Sequence, residues 1–336
     1  MRLGVEVTCA VAAVSGPGRT DIVDGVRVHR ARSFGVLLSQ PVAPGFPAMV
    51  RRTAADVLHL HHPNPLGDLA VLADERRPLI VTQHSDVVRQ RLLWPLYGPL
   101  VRRVFAGARF VAIGSEQLLR TSRELRGFER KARVIPFGID SARLEATPAV
   151  VERAAALRST WGGGPVVLTV GRMVGYKGFD VLLRAARGLR ATVVLVGTGP
   201  LEAGLRASAP PNVRFTGRVS DEELVACYRA ADVFCLPSVT IAEAFGIVLL
   251  EAMACGLPLV TTALPTGVSA VNRDGVTGLI VPPGDAGALR DALAASVADD
   301  RRRAEMGAAA RRVLQTEYTA ALMAERYLSL YREALG

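Results

Sequence analysis

The stretch SVTIAEAFGIVLLEAMACGLP, residues 238–258, sets two carboxylates, Glu243 and Glu251, around a run that is apolar apart from Gly246. Phe245-Gly246-Ile247 reads as the start of a helix, with Gly256 as its stop. Free amide groups at such a start attract an anion, and Gly246 would let a phosphate approach the backbone. Glu243 falls in the loop before the helix. Glu251 lies inside it, ~12 Å away if every residue rose at helical pitch and less with the loop bend. That is about the span from one sugar, across a diphosphate, to another. Each carboxylate can accept two hydroxyl donors, and vicinal diols are what sugars and riboses present. A surface glutamate is the bland alternative for Glu251. AMACG after an apolar run argues instead for burial, where an idle carboxylate is costly.

A second set of charges lies upstream. Gly171-Arg172 follows the apolar run VVLTV, and Lys177-Gly178 comes just before FDVLLRAARGL. Of the 41 basic residues only Lys131 and Lys177 are lysines, so a compositional pressure towards arginine has been resisted at Lys177. A compact ammonium suits a pinched phosphate site, whereas a guanidinium makes a flat fork. An Arg and a Lys five residues apart, on one loop at a strand end, would grip a diphosphate from two sides. An ordinary surface pair is the alternative.

These residues need a frame. VVLTVG, ATVVLVG, VRFTG, ADVFCLP and PLVTT are short β-branched runs in the second half, separated by helix-like stretches FDVLLRAARGL, GPLEAGLRASA, SDEELVACYRAA and IVLLEAMACG. Strand and helix alternating in this way predict an α/β fold with a doubly wound parallel sheet. Ser220 followed by three acids reads as a capped helix start. Gly197-Thr198-Gly199 reads as a tight strand-to-helix turn, because the third glycine of a dinucleotide fingerprint is misplaced.

VEVTCAVAAV, GVRVHRARS, ADVLHLHH, PLIVTQH, RFVAIGS and ARVIPFG repeat the alternation less cleanly in the first half. The expectation is a first domain over 1–145, a second over 146–317, and a helix over 318–336 whose Leu/Tyr/Met stripe packs back toward the first. A doubly wound domain normally opens with its central strand and a Gly-rich turn. The start RLG reads instead as the tail of that domain's first helix. The first domain is therefore expected to lack its first strand and helix, either because the recorded start is late or because the sheet is rewired. Neighbouring strands lie ~4.8 Å apart, so a missing central strand leaves its neighbours about twice that distance. His59, His61 and His62 alternate near a strand end without carboxylate or cysteine partners at ligand spacing, so no metal site is expected.

Composition narrows the function classes. A chain of 336 residues, half of them apolar, has ample material for two cores. No uncharged apolar run reaches the ~18 residues of a membrane-spanning helix, and MRLGVEV lacks the zones of a signal peptide. Cys9, Cys227, Cys235 and Cys255 show no metal-like spacing and read as reduced, mostly buried thiols of a cytoplasmic protein. The net charge of +10 is uneven: residues 1–145 carry 21 basic and 13 acidic side chains. That surplus suits an anionic membrane surface or an anionic substrate; an Arg-rich solvated surface is an equal reading. Nucleic acid is not expected, because the basic residues are not interleaved with stacking aromatics.

SVTIAEAFGIVLLEAMACGLP, together with GRMVGYKG, VGTGP, FTGRVSDEEL, AADVFCLPS and DGVTGLIVPPGD, resembles the retaining glycosyltransferases of family 4. The resemblance covers nearly all of residues 55–315. VTQHSDVVRQ and HHPNPLGDLAV are similar to a branch that includes bacterial O-antigen and capsule mannosyltransferases. The resemblance implies the GT-B fold, two Rossmann-like domains facing a central cleft. It implies that Glu251 binds the ribose of a nucleotide sugar and Glu243 the hydroxyls of the donor hexose. Arg172 and Lys177, on the loop opened by Gly171, would neutralise the leaving diphosphate with help from the amides of Phe245, Gly246 and Ile247. His84 would face the donor sugar, Asp86 would contact the acceptor, and Arg218 and Val219 would hold the base.

What is implied is a retaining, metal-independent transfer of a hexose from a nucleotide-diphosphate sugar, GDP-mannose by the branch, with no cofactor. The acceptor would be a hydroxyl on a lipid-linked or polysaccharide glycan, at the inner face of the membrane. A non-catalytic relative that grips a nucleotide or partner is the alternative from a different class; a sugar-nucleotide epimerase or phosphorylase of the same architecture is the other enzyme reading.

Overall fold

The computed structural model describes residues 3–37, 40–74, 76–87 and 94–336. The first two residues, and Val88-Arg89-Gln90 at the end of the VTQHSDVVRQ motif, lie outside the described residues. The chain forms two compact units: residues up to Ile135 together with Ala324–Gly336, and Pro136–Met323.

In the first unit the order is β1 (Thr8–Ala12), β2 (Arg19–Val23), β3 (Val26–Ala31), β4 (Val36–Leu37), β5 (Gln40–Pro41), α1 (Phe46–Arg52), β6 (Leu58–His62), α2 (Pro65–Leu72), β7 (Leu79–Gln83), α3 (Trp94–Gly107), β8 (Phe110–Ile113), α4 (Glu116–Thr121) and β9 (Ala132–Val134). The parallel sheet β6-β7-β8-β9 is separate from the sheet β1-β3-β2. Among the described residues β1 and β6 are edge strands of their sheets, each paired on one side only. The two sheets share apolar packing through Ala10, Ala12 and Ala31 on one side, Leu58 on the other, and Phe46 and Val50 of α1 between them.

β2 went unread in the sequence. Its residues RTDIV are exposed apart from Asp21, the apolar Ile22 and Val23 included, so no buried face marks them. It pairs antiparallel with β3 through Asp24 and Gly25, whose φ of 49° and 78° make the turn that an Asp-Gly pair favours.

The second unit holds α5 (Pro148–Thr160), β10 (Val166–Val170), α6 (Phe179–Ala186), β11 (Thr192–Val196), α7 (Glu202–Ser208), β12 (Val213–Gly217), α8 (Asp221–Ala230), β13 (Val233–Leu236), α9 (Ile247–Ala254), β14 (Leu259–Thr262), α10 (Gly267–Val271), β15 (Gly278–Val281), α11 (Ala286–Ala298), α12 (Asp300–Glu317) and the start of α13 (Ala320–Leu335). Its six strands are all parallel, in the order β12-β11-β10-β13-β14-β15. β10, β13 and β14 are wholly buried, as strands covered on both faces must be. One face packs Leu168, Phe234 and Leu236 against α5, α8 and α9; the other packs Val167, Val233 and Val260 against α6 and α11. β15 and the helices α10 to α12 were not separately read in the sequence.

α8 starts as its sequence predicts, with Ser220 Oγ accepting from the Glu223 amide at 3.2 Å and Asp221, Glu222 and Glu223 in the first turn. The chain runs from β10 outward to β11 and β12, then returns to β13 on the other side of β10. The loops after β10 and β13 therefore flank the point where strand order reverses, the place where such sheets take ligands. From Ala324 onward α13 belongs to the first unit, where Tyr331 and Tyr327 hydrogen-bond His59 and Thr82 at 2.7 and 2.8 Å.

Candidate functional site

The second unit gathers most of the residues singled out in the sequence. Gly171 to Lys177 form the loop after β10, and Pro237 to Gly246 the loop after β13. Two backbone contacts lock these loops together. Val239 donates its amide to the Tyr176 carbonyl at 2.8 Å. Gly178, in the left-handed region at φ 66°, lies so close to the second loop that a Cβ there would sit 2.1 Å from the Pro237 carbonyl oxygen. Lys177 is thereby carried to the β13 loop, and its Nζ meets Glu243 Oε2 at 2.6 Å. Ser238 Oγ donates to the same oxygen at 2.8 Å. The Lys177 and Glu243 side chains are 10% and 9% exposed. The sequence reading put Lys177 on phosphate and Glu243 on sugar, and the structure shows the two holding each other.

Such a pair is chemically ready for a dianion carrying hydroxyls. A buried cation and a buried carboxylate are costly apart and tolerable together. A diphosphate can take over Lys177 while a polyol takes over Glu243, so a ligand carrying both groups leaves neither side chain without a hydrogen-bonding partner when it replaces the internal contact. Arg172, on the same loop, is exposed and makes no ion pair among the described residues.

α9 begins at Gly246, left-handed at φ 77°. Among the described residues the amides of Phe245, Gly246 and Ile247 have no protein acceptor, which leaves a helix N-terminus open to an anion. The helix is anchored by Leu249, Leu250, Ala252 and Met253, all fully buried, while Phe245 stacks edge-on against Phe137 at 5.0 Å. The apolar residues between the two glutamates thus fix the helix, as expected.

Glu251 sits further along α9, where the Tyr228 hydroxyl of α8 donates to its Oε2 at 2.6 Å. Burial raises the Glu251 pKa, against the opposing effect of Tyr228. One carboxylate oxygen is thus already engaged, so Glu251 has less capacity for a diol than the sequence suggested. Tyr228 was missed because its position in an amphipathic helix reads as core. Arg218 and Val219 follow β12: Arg218 is exposed and Val219 packs on the core.

Gly197-Thr198-Gly199 connects β11 to α7 as a tight turn. A Cβ on Gly197 would lie 2.2 Å from the Gly171 carbonyl oxygen, so this glycine is there to let two strand-end loops touch. Gly171 itself lies beside the Lys177 ammonium.

In the first unit the histidines form a packed row at the ends of β6 and β7. His61 Nδ1 and His84 Nε2 are 2.9 Å apart, and the rings of His59 and His61 stack at 4.7 Å. Burial, with the neighbouring His61 and His62 charges, pulls the His84 pKa down to about 4. Burial likewise pulls His59 down to about 3. Both rings are neutral at ordinary pH. Asp86 fastens its own loop: Oδ1 accepts from Ser122 Oγ and from Gln83 Nε2 at 2.9 Å, and Oδ2 accepts the Arg123 amide at 2.8 Å, with lone-pair capacity left on Oδ2.

A wide depression in this unit is lined by Arg76, Arg77, Arg109 and Lys131 near Leu79 and Phe110, the starting ends of β7 and β8, opposite the end that carries His84. Lys131 caps α3 there, donating to the carbonyls of Phe105, Ala106 and Ala108, and Arg77 binds Asp74 and the Thr53 and Val50 carbonyls. Lys131 and Arg77 thus serve the fold.

The family described as "Glycosyltransferase Family 4" matches residues 1–143, and "Glycosyl transferases group 1" matches residues 158–313. D-rhamnosyltransferase WbpZ of Pseudomonas aeruginosa is 39% identical, over 79% of this chain and 71% of that protein. O-antigen chain mannosyltransferase C of Escherichia coli is 35% identical, over 83% of this chain and 76% of that one. Among solved structures, sucrose-phosphate synthase from Thermosynechococcus elongatus superposes with a TM-score of 0.81 at 23% identity, covering 99% of this chain and 90% of that one. The fold is accordingly GT-B.

Proposed function

Since the chain belongs to the family 4 glycosyltransferases, we propose that it moves a hexose from a nucleotide-diphosphate sugar to a hydroxyl of a lipid-linked or polysaccharide glycan, retaining the anomeric configuration and needing no metal. The donor binds the second unit and the acceptor the first. Arg172, Lys177 and the amides of Phe245, Gly246 and Ile247 take the diphosphate, on the loop opened by Gly171. Glu243 takes the hexose hydroxyls, Glu251 the ribose, and Arg218 and Val219 the base. His84 serves the sugar from the first unit. Asp86 holds the loop that carries it.

In the reaction the bond from C1 to the diphosphate oxygen breaks while the acceptor oxygen bonds to C1 from the same face. The acceptor proton passes to a diphosphate oxygen. Positive charge placed where the leaving group gains negative charge is the main source of rate, and holding acceptor and donor together supplies much of the rest.

One observation carries this reading: the buried Lys177–Glu243 pair lies at the switch point of the sheet, on the chain that also presents the open start of α9. GDP-mannose is the first donor to try, because a similar protein of Corynebacterium glutamicum is named a GDP-mannose-dependent mannosyltransferase. Calorimetry with GDP and UDP identifies the nucleotide. NMR of the product then gives the anomeric configuration, and turnover in excess EDTA tests metal independence. An inverted anomer, or activity abolished by EDTA and restored by one divalent cation, overturns the corresponding part.

The basic first unit is proposed to rest on an anionic membrane at its cytoplasmic face. No helix among the described residues is long and apolar enough to cross a membrane. Val14, Ile22, Phe34, Val36 and Leu37 are each more than half exposed, and exposed apolar side chains beside arginines suit an interfacial contact. Flotation with vesicles containing phosphatidylglycerol, but not with phosphatidylcholine alone, is the expected result.

A further inference from the structure

His62, the last residue of β6, is fully buried with both ring nitrogens facing carboxylates. Nδ1 lies 3.2 Å from Asp68 Oδ1, and Nε2 lies 3.2 Å from Glu124 Oε2. A neutral imidazole has one N–H and one lone pair, so it can satisfy only one of two ionised carboxylates. Two such partners call for the doubly protonated ring. Burial opposes that charge, but the hydrogen bonds and charges of Asp68 and Glu124 outweigh it and push the His62 pKa up to about 9.

Among the described residues the groups around the pair add further contacts, and of these only Gln83 Oε1 is buried without a partner. From α3 the Tyr97 hydroxyl donates to Asp68 Oδ2, and Phe105 meets the His62 ring edge-on at 5.3 Å. From β7, Gln83 Nε2 donates to Glu124 Oε2 at 3.2 Å. Glu124 Oε1 then accepts the Val87 amide at 2.7 Å. The loop's other end returns to the same residue, because the His84 amide donates to the His62 carbonyl at 3.0 Å. A closed circuit results: the His62 backbone holds His84, and its ring holds Glu124, which holds Val87.

We propose that His62 is a positioning residue for sugar transfer, a buried imidazolium that clamps Asp68 and Glu124 and through Glu124 fixes the loop that bears His84. The inference rests on the reading of His84 given above. Losing the clamp leaves Asp68 and Glu124 buried without the cation that holds both, and their repulsion displaces Glu124 and with it the Val87 contact that fixes the loop. His84 then spends less time in its working position, while the second unit and its grip on nucleotide are untouched.

The test has three arms. With GDP-mannose as probe, His62→Gln is expected to lower kcat about 10- to 100-fold while the donor KM and the affinity for GDP stay within about twofold. The wild-type kcat should fall on the alkaline side near the His62 pKa of about 9. Glu124→Gln, which removes one of the two carboxylates holding the proton, should move that limb to lower pH, in a range where thermal melts show the chain still folded. Independently of any turnover, protection of the Val87 amide from hydrogen exchange should be lost in His62→Gln at pH 7, and 15N shifts should show both His62 ring nitrogens protonated.

A folded His62→Gln enzyme with unchanged kcat, or an alkaline limb that Glu124→Gln does not move, overturns the proposal. So does a neutral His62 ring, or Val87 protection unaffected by His62→Gln. Should His62→Gln fail to fold, the Glu124→Gln limb and the wild-type ring shifts decide. Loss of activity in His62→Gln alongside full activity in His84→Ala would refute the role of His84 and leave His62 as a support of the fold alone.

Discussion

Both units set polar chemistry on loops that follow parallel strands, but they hold those loops by different means. In the second unit, backbone lies against backbone. Gly178 meets the Pro237 carbonyl and Gly197 meets the Gly171 carbonyl, with no room for a side chain at either place. The charged groups are then free to pair with each other, Lys177 with Glu243, and to exchange that partner for a ligand. In the first unit the loop bearing His84 has one backbone bond, to the His62 carbonyl, and is otherwise held by side chains: Glu124, Ser122, Gln83 and the His62 ring. A frame made of glycine contacts is insensitive to pH and unforgiving of substitution. A frame made of ionised side chains responds to pH as well as to substitution.

The largest effect expected from this contrast is at the charge itself. Lys177→Ala should lower kcat by about 10²- to 10³-fold, the usual loss when one positioned group is removed from a leaving group. Saturating donor should not restore it. Unchanged turnover would mean that Lys177 serves only to neutralise Glu243.

Next comes the frame. Gly178→Ala places a Cβ on the Pro237 carbonyl and forces a left-handed backbone on alanine, at a cost of about 2–4 kcal/mol. Gly175→Ala, three residues earlier, meets nothing within 4 Å and should change stability by about 0.5 kcal/mol or less. Urea unfolding of the two variants side by side tests whether contact, rather than the loop's sequence as such, fixes the site. Equal midpoints would sink the argument.

These positions also show what the sequence could and could not reveal. Arg172, Lys177, Glu243 and Glu251 were visible because charge was set against an apolar or arginine-rich background, and the alternation of strand and helix placed the first three in loops at strand ends and Glu251 within a helix. The partners were not visible. Tyr228 donates to Glu251 from 23 residues away, and Glu124 reaches His62 from 62 residues away; hydrophobic periodicity carries no signal for such pairs. His62 was grouped with His59 and His61 as one of three similar rings. Alternation along β6 puts His62 in the core with its carboxylates, while His59 and His61 stack together on the other face. Asp86 was singled out through the family resemblance, and its bonds to Ser122, Gln83 and the Arg123 amide, which also fasten its loop, carried no signal in the sequence.

Smaller, and confined to the first unit, is the response to pH. His62 has a folded pKa of about 9 against an ordinary value of 6.5, so its stabilisation is complete below 6.5 and is lost as pH rises through about 9. His59 and His84 act in the opposite sense. Their folded values of about 3 and about 4 mean stabilisation that is present above 6.5 and lost as pH falls toward 4. The first unit should therefore be most stable near pH 6.5 and lose several degrees of midpoint towards either extreme. Trp94 reports on the first unit and Trp161 on the second, so single-tryptophan variants read the two separately. A second unit whose midpoint follows the same curve would remove the contrast between the two frames.

The smallest effect distinguishes a carboxylate that is held from one that is merely present. Glu251→Gln should weaken nucleotide binding about tenfold, the loss of one charge-assisted hydrogen bond, with turnover at saturating donor nearly unchanged. Tyr228→Phe keeps the charge and removes only the hydroxyl that orients it, so about three- to fivefold is expected at pH 8, the scale of a neutral hydrogen bond. That loss should grow as pH falls. Burial already raises the Glu251 pKa, and Tyr228 is the group that opposes the rise; without it the carboxylate takes up a proton at higher pH and accepts fewer hydroxyl donors. Calorimetric titration of GDP into wild type and Tyr228→Phe at pH 8 and pH 6 measures both steps. A ratio of affinities that stays constant between the two pH values would show that Tyr228 supports α8 packing and has no part in holding Glu251 for a ribose.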